Sequence, residues 1–251
     1  MNMNTATTTT TTTTIPYVSI ICVTYNRKKF IPSLLESVNK QMYCKNHFEL
    51  IIVDDGIENS EDCVREKKYR FPIKYYAMEK KMKLGEKRNF SHTLIDSRST
   101  YISYFDDDDV HSPMRVLHAV QMLQQNPSYL CAGSSQMYVF FPALDQMYQF
   151  GPYMDNHATA GTITFHVRLL KLTSYDNNAC FAEESSFFKN YQIPILQLHP
   201  LQTILVIAHS QNTINKDQFI EGSDFVKKSY LSPDYFLRGR QDASFFKNKL
   251  L

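Results

Sequence analysis

The first half of the chain alternates between continuous apolar runs and segments with helical spacing. Runs rich in β-branched and aromatic residues predict four strands, at residues 17–24, 48–53, 73–77 and 101–105. Segments with an apolar helical face or a charged, helix-like composition predict four helices, at residues 29–38, 58–68, 84–97 and 113–125. This order predicts an α/β fold built on an open, doubly wound, mostly parallel sheet.

The second half has a different pattern. Apolar runs predict strands at residues 129–133, 136–141, 162–167 and 203–208, and residues 147–152 are predicted to close a hairpin. A short helix is expected to begin at Glu183 and to end near Asn190. Because long helices no longer separate the strands, we expect this half to form a mixed, acceptor-side part of the fold and not to continue the parallel sheet.

The chain ends differ from the rest in composition. Residues 1–14 are dominated by threonine and have no apolar periodicity, which predicts a disordered tail. Residues 15–215 are expected to form a single domain, and residues 216–251 a C-terminal extension that is mainly helical. The tail has neither the basic nor the apolar part of a signal peptide, and no run of about 18 apolar residues predicts a transmembrane segment.

Charge and cysteine content exclude several protein classes. The net charge is only +2, from 27 basic and 25 acidic residues, so nothing in it indicates a nucleic-acid partner. The five cysteines are far apart and include no C-x-x-C pair, which indicates reduced thiols rather than a disulfide framework or a zinc site. We therefore expect a soluble, cytoplasmic protein.

Polar residues follow several of the predicted strands directly. Asn26 follows the first strand, Asp54 and Asp55 follow the second, and a run of four aspartates, 106–109, follows the fourth. Open α/β sheets bind ligands beyond the carboxyl ends of their strands. The sequence therefore predicts a ligand site at these strand ends.

The aspartate run carries the most distinctive chemistry. In an extended chain Asp106 and Asp108 would project on one face, and Asp107 and Asp109 on the other. Such carboxylates repel each other unless their pKa values rise or a cation neutralises them, and Mg²⁺ or Mn²⁺ prefers oxygen ligands. The alternative is a solvated turn before the next helix, with Ser112 as its N-cap.

The glycines exclude the usual phosphate-binding loops. The chain has only seven, and none forms the G-x-G-x-x-G pattern or a P-loop. The charge of a bound nucleotide diphosphate would therefore have to be met by a metal ion and by basic side chains such as Arg27, Lys87 and Arg88.

Four stretches occur in a fixed order along the chain: VSIICVTYNRKKFIPSLLESV (18–38), ELIIVDDG (49–56), LGEKRNFSHTLIDSRSTYISYFDDDDVHSP (84–113) and FAEESSFF (181–188). Together they resemble the GT-A fold glycosyltransferases of family 2. The resemblance covers residues 17–215 and implies a GT-A fold whose mixed second half forms the acceptor side. It implies an inverting enzyme dependent on Mn²⁺ or Mg²⁺. Such an enzyme moves a sugar from a nucleotide-diphosphate sugar, most commonly a UDP-sugar, to a hydroxyl of a glycan or another acceptor.

The resemblance also implies roles for the donor-side residues. Thr24, Tyr25 and Asn26 resemble the first nucleotide-binding turn, and Asp54 or Asp55 resembles the acidic residue that contacts the base. Lys87 and Arg88 resemble the basic element beside the nucleotide or its diphosphate. The alternatives are turn caps for the two aspartates and a solvated helix charge for Arg88.

The D-x-D element and the acidic pair complete the implied site. Asp106 resembles the ribose-side residue, with a share in the metal site, and Asp108 resembles the direct metal ligand. The run of four leaves the register open by one residue, so Asp107 and Asp109 remain alternatives. His209 resembles a late histidine that helps to hold the metal or the diphosphate.

The acidic pair is Glu183 and Glu184, where the family usually has glutamate followed by aspartate. We assign the general base to Glu184, and the alternative is a pair of helix-start glutamates. His157 is a candidate for the acceptor pocket. Two other functions stay open, namely a metal-dependent phosphoesterase or nucleotidyltransferase and a catalytically silent nucleotide-sugar or carbohydrate binding module.

Overall fold

The computed structural model describes residues 14–66, 68–212, 215–220 and 222–248. The predicted tail therefore lies outside the described residues except for residue 14. The elements of the first half are β1 (Tyr17–Thr24), α1 (Ile31–Asn39), β2 (Phe48–Asp54), α2 (Glu61–Arg65), β3 (Ile73–Ala77), α3 (Leu84–His92), β4 (Ser99–Tyr104), β5 (Val110–His111) and α4 (Arg115–Gln125).

The elements of the second half are shorter and mostly strands. They are β6 (Cys131–Gly133), β7 (Met137–Phe141), β8 (Gln146–Phe150), β9 (Thr164–His166), α5 (Glu183–Phe187), β10 (Ile195–Gln197), β11 (Ile204–Ile207), β12 (Val226–Ser229), α6 (Asp234–Leu237) and α7 (Ala243–Asn248). The predicted hairpin is present, because β7 pairs antiparallel with β8.

The main sheet has seven strands in the order β10-β6-β9-β4-β1-β2-β3. Strand β1 is parallel to β2 and to β4, β2 is parallel to β3, and only β9 runs antiparallel to its neighbours among the described pairings of this sheet. In β1, Ile20 and Cys22 pack towards α1 and α4, whereas Ile21 packs towards the opposite face. Helices thus cover both faces, which confirms the predicted α/β fold with a mostly parallel sheet.

Two helices are shorter than predicted. Among the described residues of the predicted helix over 58–68, only those of α2 are α-helical, and the predicted helix over 84–97 ends with α3 at His92. After α3 the chain turns towards β4, and the Asp96 amide donates to Glu49 Oε1 at 2.7 Å. This contact ties the turn to the start of β2.

The second sheet has five strands in the order β12-β8-β7-β11-β5. One face packs on Phe236, Leu237 and Phe246 of the C-terminal helices. The other face carries a separate hydrophobic cluster that includes Phe150 and Val206. The segment after residue 215, which we predicted to be mainly helical, also contains β12. Because β12 pairs with β8, this segment is part of the second sheet.

No helix in the described ranges is long and apolar enough to cross a membrane.

Candidate functional site

A cavity of about 940 Å³ lies where β1, β2 and β4 end. Its volume is near the upper end of the range of small-molecule sites, roughly 300–1,000 Å³. Charged residues line one part of it, namely Arg27, Asp55, Lys87, Arg88, the four aspartates, Glu183 and Glu184. Asp55 and the aspartate run therefore converge on one place, as the parallel sheet requires, whereas Asn26 and Asp54 are not among the residues that line the cavity.

The turn after β1 is fixed by its neighbour. Asn26 has a left-handed φ of 52°, and its Oδ1 accepts the Ile57 amide at 2.7 Å. Gly56 fits closely against it, because a Cβ atom there would lie 2.6 Å from the Asn26 nitrogen. Asn26 thus joins the first two strand-end turns, while Tyr25 lines the cavity with Lys81 Nζ 4.0 Å from its ring centre.

The two aspartates after β2 have different environments. Asp54 accepts the Gly56 amide at 2.9 Å and the Tyr75 hydroxyl at 2.6 Å, so its carboxylate stabilises the turn. Asp55 lines the cavity, accepts the Met82 amide at 2.7 Å and forms a buried ion pair with Lys87. Of the two alternatives, Asp55 is the one that can reach a ligand.

Arg27 joins two members of the aspartate run. Its Nη1 donates to Asp107 Oδ1 at 3.0 Å and to Asp108 Oδ2 at 2.8 Å. Asp107 also accepts the Thr24 hydroxyl at 2.5 Å. The alternation expected for an extended chain is wrong here, because β4 ends at Tyr104 and residues 107 and 108 form a turn.

Asp108 and Asp107 carry opposite pKa shifts. Burial and the neighbouring charge of Asp108 raise the pKa of Asp107 to about 7. Burial also acts on Asp108, but its hydrogen bond with His209 and the charge of Arg27 outweigh this and lower its pKa to about 2. His209 Nε2 lies 3.2 Å from Asp108 Oδ2. Asp108 is thus the more acidic member of the pair, and its carboxylate contacts the imidazole of His209, which was predicted to help hold the metal or the diphosphate.

Gly161 faces the other two aspartates. A Cβ atom at Gly161 would lie 2.7 Å from Asp106 Oδ2 and 3.3 Å from Asp109 Oδ2. The carbonyl of Gly161 accepts a hydrogen bond of 3.2 Å from Arg115, whose side chain is fully buried. The sequence reasoning missed both residues, because their roles depend on contacts between segments that are distant in the chain.

Arg88 pairs with Glu183. Its Nε donates to Glu183 Oε1 at 2.6 Å, and the two side chains are only 4% and 3% exposed. Its Nη2 lies 3.8 Å from Asp106 Oδ1, and its guanidinium carbon lies 4.3 Å from the centre of the Tyr104 ring. Arg88 is therefore not a solvated helix charge.

Glu184 lines the cavity beside this pair. Helix α5 begins at Glu183 directly after Ala182, which adopts a left-handed φ of 49° and changes the chain direction there. Glu183 is buried against Arg88, whereas Glu184 is half-buried at the cavity wall. Burial, followed by the charge of Glu183, raises the pKa of the Glu184 carboxyl.

Residues 19–176 match the family model for glycosyl transferase family 2. The chain belongs to glycosyl transferase family 2. This confirms the family predicted from the four motifs. The donor-side site residues lie inside the matched range, whereas Glu183, Glu184 and His209 lie after it. The roles of individual site residues stay predictions.

Two relatives match part of the chain. An uncharacterized glycosyltransferase of Haemophilus influenzae is 36% identical over 111 residues, which is 44% of this chain and 36% of the relative. The abequosyltransferase RfbV of Salmonella typhimurium is 34% identical over 96 residues, 37% of this chain and 28% of the relative. The chain thus spans about a third of the length of these two relatives.

Solved structures share the fold. The mannosyltransferase PcManGT from Pyrobaculum calidifontis, in complex with GDP-Man and Mn²⁺, superposes with a TM-score of 0.64 at 14% identity, over 80% of this chain and 59% of that one. The S. aureus TarS 1–349 structure superposes with a TM-score of 0.57 at 19% identity, over 76% and 60%. These likenesses confirm the predicted GT-A fold.

The residues present fit a divalent ion that is shared with a ligand. Among the described residues no group of three or more His, Cys, Asp or Glu side chains has the geometry of a complete metal site. Asp106 and Asp108 nevertheless line the cavity, and His209, which is not among the lining residues and has a side chain only 1% exposed, lies 3.2 Å from Asp108. Mg²⁺ usually takes one or two protein carboxylates and completes its shell with phosphates and water. The donor set suits such a partial site rather than an all-protein cage.

His157 is not among the residues that line the cavity. Its ring packs between Tyr153, with ring centres 5.1 Å apart, and Tyr191, at 4.9 Å. His157 thus packs against Tyr153, which does line the cavity, and does not line it itself. The prediction that His157 lines the acceptor pocket is wrong.

Proposed function

We propose that this protein is an inverting glycosyltransferase that moves a sugar from a nucleotide-diphosphate sugar to an acceptor hydroxyl. The observation that carries the proposal is the single cavity that holds Asp55, the aspartate run and Glu184. The reaction needs residues that bind the nucleotide, residues that bind the diphosphate and a general base. UDP is the nucleotide that we propose, following the family resemblance and the TarS structure that is described as a complex with UDP.

The donor is bound mainly by charge and by aromatic stacking. Tyr25 and Asp55 form the nucleoside end, where Lys87 orients the Asp55 carboxylate. Arg27 and Arg88 lie on either side of the aspartate run and provide positive charge for the diphosphate. Asp106 is proposed to hold the ribose. This arrangement replaces the glycine-rich loop that the chain lacks.

Glu184 is the proposed general base. It takes the proton of the acceptor hydroxyl while that oxygen attacks the anomeric carbon, and the bond to the diphosphate breaks on the opposite face. A positioned base typically contributes 10²- to 10⁴-fold in rate. The Arg88–Glu183 ion pair neutralises one of the two glutamates, which leaves Glu184 as the one available to the acceptor.

Asp108, Asp106 and His209 would hold Mn²⁺ or Mg²⁺. When bound, the ion supplies positive charge that stabilises the departing diphosphate. The Mn²⁺ named with GDP-Man in the PcManGT complex supports this choice of ion. Within the chain itself, Arg27 keeps Asp107 and Asp108 together, and Asn212 Nδ2 donates to Asp108 at 3.3 Å.

A thermal-shift panel tests the proposal. UDP, GDP and dTDP are each added with and without Mn²⁺, because a ligand at about 100 times its Kd stabilises the native state by roughly 2.7 kcal/mol. We expect one nucleotide to raise the Tm, and to raise it further with the ion. If no nucleotide shifts the Tm, the proposal fails. Slow Mn²⁺-dependent hydrolysis of the matching nucleotide sugar then separates an enzyme from a silent binding module.

A further inference from the structure

Arg27 binds the two middle carboxylates of the aspartate run in the way that a small cation would. Its Nη1 lies 3.0 Å from Asp107 Oδ1 and 2.8 Å from Asp108 Oδ2, so one nitrogen bridges two neighbouring carboxylates. Neighbouring carboxylates repel each other, and a positive charge that bridges two of them reduces this cost. The chain thus carries its own counter-ion beside Asp108, the residue assigned to the metal ion.

The bridged oxygen of Asp108 is crowded. His209 Nε2 lies 3.2 Å from Asp108 Oδ2, and Asn212 Nδ2 donates to the same atom at 3.3 Å, so Arg27 Nη1 is the nearest of three nitrogens. A Mg²⁺ ion binds a carboxylate oxygen at about 2.0–2.1 Å. Bound to this oxygen, the ion would lie at most about 5 Å from Arg27 Nη1, where two positive charges repel each other. Arg27 and the ion therefore compete for Asp108 Oδ2.

Arg27 is placed where it can change partners. Its side chain is 20% exposed and lines the cavity, whereas the Asp107 side chain is only 1% exposed and accepts the Thr24 hydroxyl. The Nη2 atom of Arg27 donates to the Gln211 carbonyl at 2.7 Å, which is an exposed contact that water can replace. Asp107 is thus held in place, and Arg27 is the partner that can move towards a ligand.

Arg88, on the other side of the aspartate run, lacks this freedom. Its side chain is 4% exposed, and its Nε lies 2.6 Å from Glu183 Oε1, on a side chain that is 3% exposed. Moving Arg88 would leave Glu183 as an uncompensated buried charge, which is strongly unfavourable. When Arg27 leaves Asp108, in contrast, the metal ion itself supplies the missing positive charge.

We propose that Arg27 is an exchangeable counter-ion of the metal site. It neutralises Asp107 and Asp108 before the donor binds, leaves Asp108 when the ion binds there, and then pairs with the diphosphate of the nucleotide sugar. This inference rests on the proposed donor and metal sites and specifies how they are coupled. The ion binds weakly to the protein alone and tightly together with a nucleotide diphosphate.

A Mn²⁺ titration tests the exchange without any measurement of activity. The EPR signal of free Mn²⁺ gives the Kd of the ion for the wild type and for Arg27→Gln in the absence of nucleotide. Arg27→Gln should bind Mn²⁺ at least about tenfold more tightly than the wild type, because the ion no longer competes with a guanidinium. The matched control is Arg98→Gln, since Arg98 lies 2.9 Å from Asp96 but is not among the residues that line the cavity. This control should not change the Kd.

A second titration measures the other half of the exchange. UDP, or GDP or dTDP if the thermal-shift panel selects one of these, is titrated calorimetrically into each protein at saturating Mn²⁺. Arg27→Gln should bind the nucleotide at least about tenfold more weakly, because the diphosphate loses a charged hydrogen-bond donor. The two effects of Arg27→Gln therefore have opposite signs. A residue that only held the acidic turn together would, when replaced, weaken the binding of both ligands.

Two results overturn the exchange. One is Mn²⁺ binding by Arg27→Gln that is unchanged or weaker without nucleotide, and the other is unchanged nucleotide binding at saturating Mn²⁺. The melting temperature of each variant shows that it is folded. Failure of the proposed function is distinguishable, because it appears in the wild type, as the absence of a nucleotide-dependent shift or of any effect of Mn²⁺ on that shift.

Discussion

Replacing Arg88 by methionine tests whether the Arg88–Glu183 pair is a buried, energetically strong contact. The pair has an N–O distance of 2.6 Å and side chains that are at most 4% exposed. Removing one partner of such a pair leaves an uncompensated buried charge and costs about 3–5 kcal/mol. For a chain of this size each kcal/mol lowers the Tm by roughly 2–4 °C, so we expect a drop of about 6–20 °C.

A surface pair provides the matched control. Arg98 Nε lies 2.9 Å from Asp96 Oδ1, but the Arg98 side chain is 63% exposed. Arg98→Met should therefore cost only about 0–1 kcal/mol. The double variant Arg88→Met/Glu183→Gln should recover most of the loss, because neither charge then remains buried alone. Recovery stays incomplete because Asp106, 3.8 Å from Arg88, also loses its cation.

Urea denaturation followed by circular dichroism gives the free energy of unfolding of all four proteins. An Arg88→Met cost below about 1 kcal/mol, equal to that of Arg98→Met, would refute the reasoning. Arg88 would then behave as a solvated helix charge, and the electrostatic distinction between Glu183 and Glu184 would disappear.

Three further predictions concern the cavity. Gly161→Ala should destabilise the protein by about 1–3 kcal/mol and weaken nucleotide binding, because the new Cβ meets Asp106 Oδ2 at 2.7 Å; unchanged denaturation and titration curves would contradict this. Burial raises the pKa of Glu184, and a base works only when deprotonated, so kcat/KM should fall with decreasing pH at a higher pH than for an ordinary glutamate, whose pKa is about 4.3. EDTA should abolish transfer, and Mn²⁺ should restore it. Full activity of the metal-free enzyme would contradict this and would assign the counter-charge of the diphosphate to Arg27 and Arg88.

Strand and helix order was predictable because the main sheet is buried on both faces. Runs such as that of β1 are apolar at nearly every position, and the polar residues that follow them mark the strand ends. The convergence of Asp55 and the aspartate run follows from the parallel order of the strands. These features depend on local composition and on topology, both of which can be inferred from the sequence.

Side-chain partners were less predictable. The choice between Asp54 and Asp55 depends on Tyr75, whose hydroxyl donates to Asp54 from 21 residues further along the chain. Nothing in the sequence indicates that these two residues are partners. The turn at residues 107 and 108 depends on Arg27, some 80 residues earlier. The strands β5, β10 and β12 were not predicted, because their sequences VH, ILQ and VKKS contain only one or two apolar residues each and give no strand-like apolar run.

The central claim is that Glu184 is the base of a donor site organised around Asp108. Donor affinity and initial rate, measured for Glu184→Gln beside Asp108→Asn, test it most directly. We predict that Glu184→Gln keeps donor affinity within about twofold while turnover falls about 10²-fold or more, the loss expected for a positioned base. Asp108→Asn should lose metal-dependent donor affinity as well as turnover. A Glu184→Gln enzyme that works at close to the wild-type rate would contradict the claim and direct attention to Glu183.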